Sequence, residues 1–181
     1  MDKYNIRFTR LEEEIFRVFC VKAGEKLNQR QIAKLLGVSP TAVAKSLPNL
    51  ERAGLLKIER SKTMNLILVS LNREENKCVH LKRVENLRRL YESGILEYLE
   101  GVYPGAAVIL FGSYGKGEDV VSSDIDLAVI GSKEKMLDLE DYEKRLERKI
   151  RINYYKSLKE LSLELKENIF NGIVLSGAVE L

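Results

Sequence analysis

The chain has 181 residues, 45% of them hydrophobic and 31% charged, with a net charge of +3. This is long enough for one medium domain or two small ones with cores of their own, too evenly mixed for a disordered chain, and without any apolar run near the ~20 residues of a membrane span. The charge is split: residues 1–90 carry 19 Lys and Arg against 10 Asp and Glu, residues 91–181 carry 11 against 17, so a basic module that suits a polyanion precedes an acidic one that suits a cation.

The start, MDKYNIRFTRLEEEIF, is charged from its second residue and does not read as a secretory signal. Cys20 and Cys78 stand apart with no CxxC pattern, which fits reduced thiols in a cytoplasmic protein. Thr9 to Val21 reads as a helix: Thr9 can cap it with Glu12 three residues on, and Leu11, Ile15, Phe16, Val18 and Phe19 form its apolar stripe. A short helix ending at Gly37 follows. A longer one is capped by Ser39, with Pro40 in its first turn, and ends at Gly54. LLKIERSKTMNLILVSL then reads as two strands around a polar tip from Arg60 to Asn65. Helix, helix, turn, helix and hairpin is the order of a winged helix-turn-helix, expected over residues 1–75.

In the second helix of that motif Val43, Leu47 and Leu50 form the core stripe. Ser39, Thr41, Ala42, Lys45, Asn49 and Arg52, with Arg60 and Lys62 of the wing, are left to contact phosphates and base edges of double-stranded DNA. Pro48 removes a helix hydrogen bond and is expected to bend the rod. A module confined to protein contacts or dimerisation is the alternative; a homodimer suits a winged helix that reads two half-sites.

Leu81 to Glu100 repeats apolar residues at every third or fourth position, a helix within a linker assigned to residues 76–102. GVYPG breaks it, and a domain over 103–181 follows. AAVILF and IDLAVI read as buried strands, 134–146 as a charged amphipathic helix, KIRINYY as a strand and 158–171 as a helix. The fold class is therefore α+β: a winged helix-turn-helix, a linker helix, and a small mixed sheet flanked by helices.

Between the first two strands of that sheet lies FGSYGKGEDVVSSDIDL. Gly112 and Ser113 let backbone amides approach an anion, Lys116 adds a positive charge, and Ser123 precedes two aspartates. On a strand, Asp124 and Asp126 project to one side, and two carboxylates so placed call for a hard divalent cation. Mg²⁺ takes one or two carboxylates plus substrate phosphate oxygens, so the pattern points to phosphoryl or nucleotidyl transfer. Tyr114, inside the loop, is a packing residue or borders a nucleotide base.

GSYGKGEDVVSSDIDL resembles the signature of the polymerase-beta-like nucleotidyltransferases, specifically the minimal ones, and with the winged module ahead of it the whole chain resembles archaeal-type proteins that fuse the two. The resemblance implies that Gly112 and Ser113 contact the β- and γ-phosphates of an NTP, ATP by preference, with Lys116 in a position often basic. It implies that Asp124 and Asp126 ligate Mg²⁺, one ion or two, and that a nucleoside monophosphate passes to an acceptor, RNA or protein. The protein-acceptor version is an antitoxin-like enzyme that modifies a toxin. The family usually supplies a third carboxylate from the strand after the intervening helix, where it activates the attacking hydroxyl. Here the matching position is Arg151 or, with a short shift, Asn153, and Asp138, Asp141 or Glu147 would have to approach from the helix in its place. That departure supports the alternative of a DNA-binding regulator that senses nucleotide and turns over little.

Overall fold

The computed structural model describes residues 7–60, 66–157, 159 and 161–179. They fall into two compact units, residues 1–81 and 82–181. Among the described residues no helix is long and apolar enough to cross a membrane.

The first unit is a three-helix core with a small sheet. Helix α1 (Arg10–Val21) opens with the reciprocal cap expected from its sequence: Thr9 Oγ1 accepts from the Glu12 amide, and the Glu12 carboxylate accepts from the Thr9 amide at 2.7 Å. Helix α2 (Gln29–Leu36) repeats the device with Asn28 and Gln31, a box the sequence reading did not use. Helix α3 (Pro40–Arg52) starts on Ser39, whose hydroxyl accepts from the Ala42 amide at 3.1 Å. Ile15, Phe19, Ile32, Val43, Leu47 and Leu50 interlock as its core. Strand β1 (Leu27–Asn28) pairs antiparallel with β3 (Ile67–Leu71), which also pairs with β2 (Leu56–Arg60). Strand β1 is too short to carry an alternating pattern, so only the pairing reveals it. The wing residues Ser61, Lys62 and Asn65 lie outside the described residues.

Helix α4 (Asn76–Ser93) supplies Cys78 and Leu81 to this core. Its later residues belong to the second unit, where Leu90 is buried. The single helix expected over 81–100 is two helices. Gly94, with φ of +80°, turns the chain in a left-handed conformation open to glycine, and α5 (Ile95–Val102) follows.

The second unit is built on a four-stranded mixed sheet in the order β6-β5-β4-β7. Strand β4 (Ala107–Phe111) is central and antiparallel to both β5 (Ile125–Ile130) and β7 (Ile173–Ser176), while β5 runs parallel to β6 (Ile150–Tyr155). Strands β4 and β5 are the two inner strands and carry a core on each face, which explains their continuous apolar runs. One face packs Leu99, Tyr103, Leu110 and Leu127 together, the other Ile109, Ala128 and Ile169.

Two helices are shorter than the sequence suggests. Helix α7 spans only Glu140–Leu146, because the residues before it are held by tertiary contacts: Lys135 donates to the Val102 carbonyl at 2.6 Å, and the Asp138 amide donates to the Tyr98 hydroxyl. Helix α8 spans Leu163–Phe170, capped by Ser162. Strand β7, absent from the sequence reading, is the IVLS stretch beyond Gly172. Four residues at a chain end give too little pattern to be told from a loop.

Candidate functional site

Strand β4 ends at Phe111, which stands opposite Asp126 of β5 in the antiparallel register. The chain then turns at Gly112 into a single helical turn, α6 (Gly112–Lys116). Gly112 has φ of +73°, and a Cβ built there would lie 2.7 Å from Asp126 Oδ2. Only a residue without a side chain lets the backbone come this close to the carboxylate. The glycine turn and the second aspartate of the DxD pair are thus in direct approach, the arrangement the sequence spacing suggested but could not fix.

Asp124 and Asp126 flank the buried Ile125, and both side chains are partly exposed. The Asp126 carboxyl is pushed above its ordinary value by burial and then by the negative charge of Asp124, with Arg151 acting in the opposite sense. In the parallel register Arg151 is the partner of Asp126, and its Nε donates to Asp124 Oδ2 at 2.6 Å. Between the two alignments open to the sequence, the register therefore selects Arg151. Asn153 stands opposite Ala128 and donates to the Leu127 carbonyl.

This donor set fits one hard divalent cation. Two carboxylates can share it with phosphate oxygens, and among the described residues there is no group of three or more His, Cys, Asp and Glu side chains that could hold an ion unaided. Beside Asp124 opens a groove of about 500 Å³, lined among others by Ser122, Ser123, Glu143, Lys144 and Glu147. Of the three acids expected as substitutes from the helix, Glu147 borders this groove, whereas Asp138 and Asp141 lie outside it.

Two of the residues considered for the site have other side-chain partners. Ser123 closes a turn, its hydroxyl accepting from the Val120 amide at 3.0 Å while its own amide donates to the Val120 carbonyl. Tyr114 is 1% exposed, with its hydroxyl directed to the Asn86 carbonyl, so it is a core residue and does not border a base. Ser113 is half-buried in α6, where its carbonyl accepts from the Glu118 amide. Lys116 is exposed in the same turn.

Asp119 went unnoticed in the sequence, although it holds the loop between α6 and β5. It is 1% exposed. Its Oδ1 accepts from Lys82 and, at 2.7 Å, from Asn86, both on α4; its Oδ2 accepts from Arg148 at 3.4 Å. Asn86 also donates to the Tyr114 carbonyl at 2.9 Å. Buried charges persist only when paired in this way. In the sequence Asp119 is one acid in a polar loop, and nothing local marks its partners.

On α3, Thr41, Lys45 and Arg52 are exposed, as is Arg60 at the end of β2, and Ala42 is half-buried. Ser39 spends its hydroxyl on the helix cap. Asn49 faces inward, contrary to the sequence reading: its amide donates to the buried Glu12 carboxylate at 3.0 Å. The capping box leaves Glu12 Oε1 inside the fold in need of a donor, and Asn49 supplies it. Asn49→Ala should cost the first unit about 1–3 kcal/mol through the half-satisfied carboxylate. Denaturant unfolding followed by far-UV circular dichroism would measure it, with exposed Thr41→Ala as the near-neutral control.

Residues 94–179 match the family described as Polymerase beta, Nucleotidyltransferase, and residues 9–64 match the bacterial regulatory proteins of the gntR family. The chain joins a winged helix to a polymerase-beta-type nucleotidyltransferase domain. Among solved structures, Lactococcus lactis ZitR, a zinc-responsive MarR family member, aligns at 26% identity over 53% of this chain and 62% of its own, with a TM-score of 0.40. Two mutant forms of ZitR align similarly, one at 25% identity over 53% of this chain and 61% of its own (TM-score 0.40) and one at 20% over 57% and 67% (TM-score 0.41). The chain thus spans about three fifths of the first of these relatives. No curated protein matches it.

Proposed function

We propose that the nucleotidyltransferase domain binds a nucleoside triphosphate, ATP by preference, together with Mg²⁺, and transfers the nucleoside monophosphate to an acceptor hydroxyl on RNA or protein. The observation that carries this reading is the approach of Gly112 to Asp126, which sets the glycine turn against one carboxylate of the DxD pair. Gly112, Ser113 and Lys116 hold the triphosphate, while Asp124 and Asp126 hold the ion. The ion's contribution, when bound, is to polarise the phosphoryl group and neutralise charge that develops there. The winged helix binds double-stranded DNA, with Thr41, Lys45, Arg52 and Arg60 on its exposed surface.

Arg151 supports a second reading. With a guanidinium where an acid would accept the acceptor's proton, the domain acts as a nucleotide sensor for the DNA-binding module. Incubation with each α-labelled NTP and Mg²⁺ separates the two. Label that enters RNA or protein, and is lost in Asp124→Ala/Asp126→Ala, supports transfer. Binding without label transfer, together with a DNA affinity that NTP changes, supports the sensor. A wild type that binds no NTP, or binds it equally well without the two aspartates, removes both.

A further inference from the structure

The charges at the site lead one step further, resting on the nucleotide reading above. Asp124 and Asp126 carry two negative charges, and Arg151 brings one positive charge into contact with the first. Arginine stays protonated under all ordinary conditions, so this charge is permanent. The contact is lopsided in exposure: the Asp124 side chain is 24% exposed and that of Arg151 71%. Asp124 is therefore held by the fold, while the guanidinium lies mostly in solvent and is not packed in place.

We propose that Arg151 is the resident counter-cation of the nucleotide site, occupying Asp124 in the free protein and passing to the triphosphate when a divalent ion takes that carboxylate, so that the site takes a single ion per nucleotide. The charge balance supports this. The two aspartates with Arg151 have a net charge of minus one; one divalent ion makes it plus one, which favours a polyanion. Without Arg151 the same site with one ion is neutral. Among the described residues no third acid joins the pair to hold a second ion, and the strand position beside Asp126 is Arg151 itself. The planar guanidinium suits phosphate oxygens, to which it can donate two parallel hydrogen bonds.

The test uses the full chain, Mn²⁺ as the probe ion read by electron paramagnetic resonance, and an ATP analogue with a methylene bridge between its α and β phosphorus atoms. Wild type should bind one Mn²⁺ per bound analogue. Without nucleotide, Arg151→Ala should bind Mn²⁺ about tenfold more tightly than wild type, since a competing unit charge is gone from contact distance. The same variant at saturating Mn²⁺ should bind the analogue about tenfold more weakly, Arg151→Lys should recover most of that affinity, and Arg151→Asp should take up a second ion. Matching thermal unfolding of the four proteins confirms that charge and not folding is being compared. Equal Mn²⁺ affinity in wild type and Arg151→Ala, or two ions per analogue in wild type, overturns the inference. Absence of analogue binding in every variant overturns the nucleotide reading, and the nucleotide-free Mn²⁺ comparison then still decides whether Arg151 competes for Asp124.

Discussion

Replacing Asp119 by alanine should unfold the nucleotidyltransferase domain about 3–5 kcal/mol more easily, because it leaves Lys82 and Arg148 without the carboxylate that both contact inside the fold. Lys82 and Arg148 have side chains only 1% exposed, so water cannot take over that role. The result should be a fall in midpoint of more than about 12 °C for a unit of this size. The measurement is selective, since the chain has no tryptophan and all eight tyrosines except Tyr4 lie between residues 91 and 155. Near-UV circular dichroism of tyrosine therefore reports on the second unit, with Tyr103 and Tyr114 both buried there. Asp119→Asn should recover little, since an amide nitrogen would then face donors. A shift below about 1 kcal/mol would mean that the three-way contact contributes no net stability, as some buried ion pairs do not.

Gly112→Ala should fold but bind Mg²⁺·ATP ten- to a hundredfold more weakly. Two effects combine. The left-handed backbone at φ of +73° costs an L-residue about 1–2 kcal/mol, and the new methyl would sit 2.7 Å from Asp126 Oδ2, so the carboxylate must move. Displacing one charge-assisted contact worth about 1.5–3 kcal/mol lowers affinity by that range. The control is Gly101→Ala, on α5, where an added Cβ meets nothing within 4 Å and φ is not positive; there a helix former should be neutral or slightly stabilising. Isothermal titration with the ATP analogue reads both variants. Unchanged affinity in Gly112→Ala would separate the glycine turn from the nucleotide site and remove the main support for the proposed function.

Two features described above set the character of this domain. The glycine turn lies against Asp126 of the DxD pair, and the neighbouring strand sets a guanidinium beside Asp124. Substitutions at Gly112 and at Arg151 therefore test the proposed binding site from two sides, through the backbone turn and through the charge beside Asp124. The groove beside Asp124 is bordered by three acids, Glu140, Glu143 and Glu147.

Most of the architecture could be read from the sequence because its signals are local. Capping residues lie three positions from their partners, as in Thr9 with Glu12 and Ser39 with Ala42, and the observed α1 and α3 start where those pairs dictate. The runs AVILF and IDLAVI became buried strands because residues apolar on both sides can only be buried on both faces. The glycine turn and the aspartates were found for the same reason, being contained in one short stretch.

What tertiary structure alone decided involves residues far apart in the chain. Strand register put Arg151, and not Asn153, beside Asp126. Packing turned Asn49 inward to Glu12, 37 positions away, and burial joined Asp119 to Lys82 across the same separation. Tertiary contacts likewise shortened α7, and pairing with a neighbour made strands of β1 and β7. A side chain's identity fixes which hydrogen bonds it can make, but which partner stands within 3 Å is set by the fold as a whole. Sequence therefore determined most of the elements and the presence of the Gly-Ser and DxD motif, and folding determined the charge that stands beside it.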